Sequence, residues 1–412
     1  MSLPCKLPLF LLLMVFSGLG WAGKKVDLDY RIRLLPQSDQ AEVRLTLAQG
    51  SAVRSLDFDL GTQGHYSDFQ ADGQWQLSPG LTTGSHRGVW RPAPGKASLS
   101  YRVSLSHPRG NGPFVTRMTP NWALLRGEDL VPPAHLDQQD GTDLVSRLAF
   151  ELPDGWKSVE TAWPRIGKNR FRIDNVSRLF DRPVGWMLAG DLGSRRTRLG
   201  ETDVTVAAPR GEHMRRMEVL TLLTFVWPRL QEVFPRNPGK LLVVGAGESM
   251  MRGSQAARDS IYLHSTGPLI GESGESALVR ELVHVFGRIN GSHRSDWVGE
   301  GLARYYAIEL VRRAGGMSEE RYQALQARLT RDSRKVTTLR GEQVSGATVA
   351  RAVLLLQELD REIRQQTDGK RSLDDVSRAA MRLDTVSTQA FIQLCESVTG
   401  EPSKVLASGL LK

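Results

Sequence analysis

Apolar and polar residues alternate along the chain from residue 26. Val26-Asp27-Leu28-Asp29-Tyr30-Arg31-Ile32-Arg33-Leu34 repeats every second position, the period of a strand with one buried face. Ala41 to Leu47, Ser98 to Leu105 and Arg170 to Ile173 repeat the pattern. Turn formers punctuate these runs: Gly61, Asp72-Gly73, Pro79-Gly80, Asn111-Gly112-Pro113 and Pro153-Asp154-Gly155. Short strands at this spacing predict an N-terminal β-sandwich over residues 23–207. That stretch carries no catalytic constellation.

The period changes near residue 208. Glu212 to Val233 has apolar positions at helical spacing and ends near Pro235. Leu241 to Val244 and Asp259 to His264 are short apolar runs that predict buried strands. Glu275 to Phe286 predicts a helix, and Trp297 to Ala314 a second, closed by Gly315-Gly316. From about residue 331 the pattern is helical to the end. Val349 to Gln366 has a long apolar face. Ser372 with Asp375 three residues on predicts a capped helix start running to about Asp384, and Ser387 another ending near Gly400. The expectation is an α+β multidomain chain: the N-terminal β-sandwich, a central α/β domain over 208–330 and a C-terminal helical domain over 331–412.

The first residues stand apart. Lys6 precedes an almost unbroken apolar run, Leu7 to Phe16, followed by small-residue-rich Ser17 to Ala22. This predicts a secretory signal peptide over 1–22, cleaved after Ala22. An uncleaved anchor is the alternative, but the run falls short of the ~20 residues of a comfortable span. The expected location is periplasmic or secreted, with no transmembrane segment after cleavage. Roughly 390 residues remain, enough for two or three domains. Of the two cysteines only Cys395 follows the leader, which excludes an internal disulfide, so the core must be held by packing. The formal charge is +9, but Lys and Arg are spread along the chain without a block. Export and this spread argue against a nucleic acid partner and leave a solvated basic surface with weak attraction to anionic envelope polymers.

One segment carries chemistry. Arg280-Glu281-Leu282-Val283-His284 is followed by a loop through Asn290-Gly291-Ser292-His293, then by Trp297-Val298-Gly299-Glu300-Gly301-Leu302-Ala303-Arg304-Tyr305-Tyr306. In a zincin, two His at i and i+4 on one helical face hold zinc, and the Glu beside the first polarises the attacking water. Glu281 and His284 have the right relative spacing, and Glu300 lies in the first turns of the next helix, where a third ligand belongs.

The Trp297 to Tyr306 segment resembles the third-ligand helix of the gluzincin aminopeptidases: the aminopeptidase N family and, more closely, the glycyl aminopeptidase-like family. Leu144 to Trp163 resembles the end of that family's N-terminal β domain, and Gly346 to Asp360 with Ser372 to Val376 its C-terminal helices. The resemblance implies a thermolysin-like (gluzincin) central domain, zinc, and release of N-terminal amino acids from peptides. It assigns Glu281 as general base, His284 as second ligand and Glu300 as third. Three features depart from it. Arg280 stands in place of the first ligand His. Only fifteen residues separate His284 from Glu300, a shorter gap than in the aminopeptidase N family. No Tyr follows Tyr322, although that family uses a downstream Tyr to stabilise the oxyanion. Glu248, in Gly247-Glu248-Ser249, is only a loose match to its amine-binding Glu.

Arginine keeps its proton and cannot ligate zinc. The spare imidazoles nearby are His264 and His293, each a candidate substitute ligand. Two readings follow. In one, the chain is a catalytically impaired pseudoenzyme that binds a peptide or an envelope protein. In the other it is an active zinc aminopeptidase using His284, Glu300 and a substitute ligand. Zinc is the cofactor if the protein is active, and none is predicted with Arg280 in place. Tyr305 and Tyr306 are expected to pack. Arg280, on the face shared by His284, is expected to occupy the metal position and to pair with Glu300.

Overall fold

The computed structural model describes residues 24–62, 64–174 and 180–412. The signal-peptide expectation, over 1–22, lies outside the described residues. Among the described residues, no helix is long and apolar enough to cross a membrane.

The alternating runs become strands, and their apolar positions become the core. Val26, Leu28, Tyr30, Ile32 and Leu34 are buried on one face of Lys24–Leu35. Ala41, Val43, Leu45 and Leu47 do the same on Gln40–Leu47, which pairs antiparallel with Lys24–Leu35. On its other side Lys24–Leu35 pairs parallel with Thr142–Glu151, Tyr30 opposite Leu148. These strands lie within a seven-stranded sheet, accompanied by a four-stranded and a five-stranded sheet. The three sheets contribute to one apolar cluster containing Phe58, Trp90, Tyr101, Leu125 and Phe171.

A further five-stranded sheet carries the motif helices. Its strands are β1 (Leu192–Leu199), β2 (Thr202–Pro209), β3 (Lys240–Ala246), β4 (Ser254–Ala257) and β5 (Ser260–His264), in the order β1-β2-β3-β5-β4. Neighbours β2, β3 and β5 run parallel, whereas β1 and β4 pair antiparallel at the two edges. An all-parallel nucleotide-binding topology is therefore excluded here. The expected boundary at 207/208 falls inside β2. That strand pairs with β3 from Asp203–Lys240 to Ala207–Val244, so the strands from Leu192 onward belong to the sheet of the central region. Alternation in the sequence cannot reveal which sheet a strand will join.

Strand β3 is an unbroken apolar run because both its faces are covered. Leu241 and Val243 join the cluster under the helices. Leu242 and Val244 pack with Trp122, Leu124, Trp186 and Leu188 from the N-terminal strands. Trp186 reinforces this junction by donating its backbone N–H to Ser260 Oγ and its indole N–H to the Gln255 carbonyl.

The helices are α1 (Arg216–Val233), α2 (Ala277–Gly287), α3 (Asp296–Arg313), α4 (Glu319–Ser333), α5 (Gly346–Gln366), α6 (Leu373–Ala380) and α7 (Thr388–Thr399). Helix α6 begins with the expected capping box between Ser372 and Asp375. It ends at Ala380, short of Asp384, because the N–H groups of Arg382 and Leu383 turn back to Ala379 and Ala380 and tighten the last turn. The helices after residue 331 pack into the core of the central region. Val353, Leu356, Val376 and Phe391 share one core with Leu282, Trp297 and Tyr306.

Candidate functional site

Helix α2 starts at Ser276, whose side chain accepts the Val279 N–H. It ends where Arg288 turns left-handed, with φ 49°. Leu278, Leu282 and Phe286 fix its inner face in the core, with Phe286 edge-on to Trp227 at 5.1 Å. Arg280 and His284, four residues apart, lie on the same side of the helix and line the same cleft.

The two glycines flanking Glu300 explain how α3 comes close enough. A Cβ on Gly299 would stand 2.7 Å from the Ile289 carbonyl in the preceding loop, and one on Gly301 would stand 2.9 Å from the Ala352 Cβ of α5. Helix α3 is thereby wedged between that loop and α5. The loop is pinned in turn to the C-terminal helices: Ser295 Oγ accepts the Thr388 N–H and the Trp297 indole donates to Thr388 Oγ1. Tyr305 and Tyr306 are buried packing residues, and Tyr306 hydrogen-bonds Asp374.

The cleft lies between α2, α3 and edge strand β4. One cavity, of about 560 Å³, is lined by Ser254 to Arg258, Arg280, Glu281, His284, Arg288, Asn290 and Glu300. Glu281 is 4% exposed and fully engaged. Its Oε1 accepts from Ser254 Oγ at 3.0 Å and Arg280 Nη2 at 3.1 Å, and its Oε2 accepts from the Ala256 N–H at 2.8 Å. His284 Nε2 stands 3.7 Å from Glu300 Oε1, close but beyond hydrogen-bond length.

The expected Arg280–Glu300 bridge does not form. Arg280 bonds its neighbour Glu281, and Glu300 faces His284 instead. The physical reason is that Glu281 already sits buried with both oxygens turned to β4, and a guanidinium one residue away completes its coordination with less side-chain ordering than a reach across the cleft would need. Arg280 Nε is left without a hydrogen-bond partner, and the side chain remains 40% exposed.

The substitute ligands lie elsewhere. His264, at the end of β5, lines a neighbouring cavity of about 680 Å³, which meets the first at Ser254 and Arg280. Burial and the charge of Arg252 hold its imidazole below the usual range, against the opposing pull of Glu212. His293 lines neither cavity and faces Glu342 at 3.0 Å on the surface. Glu248 is exposed and lines neither.

A catalytic zinc needs three protein ligands. His284 and Glu300 supply two donors, and the third position presents a fixed cation that repels a dication. Among the described residues, no group of three or more His, Cys, Asp or Glu is placed to hold a metal ion. The residues present do not fit zinc.

Sequence reasoning misses the β4 residues Ser254 and Ala256, which hold Glu281, and the cations Arg252, Arg258 and Arg288 around the cleft. Arg304, within the motif of the second helix, has no role legible from its neighbours. It forks onto Glu275, at 2.7 and 3.2 Å. Nothing in the local sequence joins 275 to 304.

No protein-family model and no curated protein matches the chain. Solved structures do match. An aminopeptidase N family protein from Idiomarina loihiensis superposes with a TM-score of 0.65 at 15% identity, over 86% of this chain and 70% of that one. The M1 zinc metallopeptidase from Deinococcus radiodurans gives 0.58 at 16%, over 94% of each chain. Leukotriene A4 hydrolase from Saccharomyces cerevisiae gives 0.60 at 14%, over 95% of this chain and 68% of that one. At such identities the likeness is one of fold: the chain has the mixed α+β, two-domain fold of the M1 zinc metallopeptidases.

Proposed function

We propose that the chain is an exported, glycyl aminopeptidase-like protein with the M1 fold, impaired in hydrolysis, whose cleft binds peptides or envelope partners. The observation that carries this reading is Arg280. It stands at the first-ligand position of α2, and its guanidinium holds the carboxylate of Glu281 together with Ser254 and Ala256. Both oxygens of that carboxylate are already held by the protein, so neither is open to an attacking water. Two adjoining cavities along β4 give a short peptide room to bind.

Elemental analysis and turnover of amino-acid anilides test the reading together. The expected result is no stoichiometric zinc and no turnover above background. About one zinc per chain, with turnover abolished by Glu281→Gln, would overturn it.

The second reading, an active zinc aminopeptidase, draws on the 3.7 Å approach of His284 to Glu300. It requires His264 or His293 to complete the ligand set. Zinc content that falls on mutating either histidine would favour it.

A further inference from the structure

The larger cavity has a charge pattern of its own. Its lining includes three guanidiniums, from Arg252, Arg280 and Arg304, and a single carboxylate, Glu275. That carboxylate is already neutralised by Arg304, through two hydrogen bonds, and it accepts a further one from Ser273 Oγ at 3.1 Å. Arg280 engages only one donor, on Glu281, and its side chain stays 40% exposed. Arg252, exposed at the rim, forms no ion pair among the described residues. Buried His264 shares a hydrogen bond with Thr266 through Nδ1 at 3.2 Å, and its Nε2 has no partner among the described residues. The remaining wall is apolar or small: Leu263, Pro268, Ala277 and Ala307. A free amine entering this space would meet like charge and no available acceptor carboxylate. A carboxylate would meet unused donors in a partly apolar setting, where charge-assisted hydrogen bonds are strong.

We propose that this cavity is a carboxylate-binding site that takes an anionic group carried on a small apolar body, and not a free amine. The proposal deepens the peptide-binding reading and rests on it for the source of the ligand. The carboxylate can come from a peptide C-terminus or from an acidic side chain, both of which present the same two oxygens. Arg280 is central because it lines both cavities, so an anion bound in the larger one competes with Glu281 for its guanidinium.

The experiment is a titration of the isotope-labelled protein with four probes, followed through its arginine side-chain N–H resonances. The probes are N-acetyl-leucine, N-acetyl-leucinamide, leucinamide with its free amine, and N-acetyl-glutamic acid α-amide. The expected result is saturable shifts with N-acetyl-leucine, or with the glutamic acid derivative if the side chain is the source. The neutral amide should bind about tenfold more weakly or not at all. Arg252→Ala and Arg280→Gln should each weaken the acid probe several-fold, while Arg288→Gln, in the adjoining cavity, should not. Equal binding of acid and amide, preference for leucinamide, or no shift with either acid overturns the proposal. Short peptides are titrated in parallel with the same wild-type protein. If they bind irrespective of their carboxylates, the carboxylate site fails and the peptide-binding reading stands. If no peptide binds, that reading fails too.

Discussion

Two arginine–carboxylate sites lie on the same helix assembly and differ in how much they hold together. At one, Arg313 of α3 forks onto Asp374 of α6 at 2.8 and 3.2 Å. The Tyr306 hydroxyl donates to the same carboxylate at 3.0 Å, and both side chains are less than a quarter exposed. At the other, Arg280 makes one bond to Glu281 at 3.1 Å, leaves Nε unpaired and is 40% exposed. The first is a bidentate, mostly buried network that ties two helices far apart in sequence. The second makes a single bond and leaves its guanidinium partly exposed between two cavities. Bidentate geometry and burial make a polar network structural, whereas a singly bonded, partly exposed charge in a cleft is what a ligand can engage.

The sharpest way to break this comparison is Asp374→Ala. It strands a half-buried guanidinium and the Tyr306 hydroxyl, so denaturant unfolding should show a loss of ~3 kcal/mol. If the variant is as stable as the parent, the first site is not structural. Next is Ser372→Ala at the start of the same helix α6. Removal of the observed capping box should cost about 1 kcal/mol in the same assay. Arg280→Ala should cost less than about 1 kcal/mol, because the side chain is well exposed and Glu281 keeps Ser254 and Ala256 as donors. A loss as large as that of Asp374→Ala would erase the distinction between the two sites.

The smallest expected effect is one of pH on the cleft side. His264 is held below its ordinary pKa by burial and by Arg252. Its neutral form is therefore favoured in the folded chain, and the unfolded chain takes up the proton first. This contribution to stability is present above the ordinary histidine value of about 6.5 and is lost as pH falls through it. Unfolding midpoints at about pH 7.5 and about pH 5.5 should differ less in His264→Gln than in the parent. An unchanged difference would remove His264 from the pH response.

Much of the architecture is legible in local pattern. The burial of Val26, Leu28, Tyr30, Ile32 and Leu34 on one face follows from period two alone, since successive side chains in a strand point to opposite faces. The capping box at Ser372 and Asp375 follows from spacing, because the two partners are three residues apart. The relation of Glu281 to His284 on α2 is likewise local. Partners of high sequence separation are not legible in this way. Ser254 and Ala256 reach Glu281 across more than twenty residues, and Glu275 meets Arg304 across 29. The Arg280–Glu300 pair fails for the same reason. Two helices taken in isolation would bring the charges together, but β4 claims Glu281, and Glu281 draws Arg280 toward it.

The sequence by itself determined the longer strands and helices, which face of each is apolar, and that Arg280 and His284 share one side of a helix with Glu281 between them. These are properties of neighbours along the chain, set by backbone periodicity and by the chemistry of single side chains. Only the tertiary structure decided that β1 and β2 join the central sheet, that the last helices share its core, and that Arg280 faces two cavities of different charge. Those outcomes depend on which surfaces meet, and a meeting between residues tens of positions apart is settled by packing of the whole chain: two glycines that let α3 approach the preceding loop and α5, and an edge strand whose Ala256 N–H turns toward a buried carboxylate.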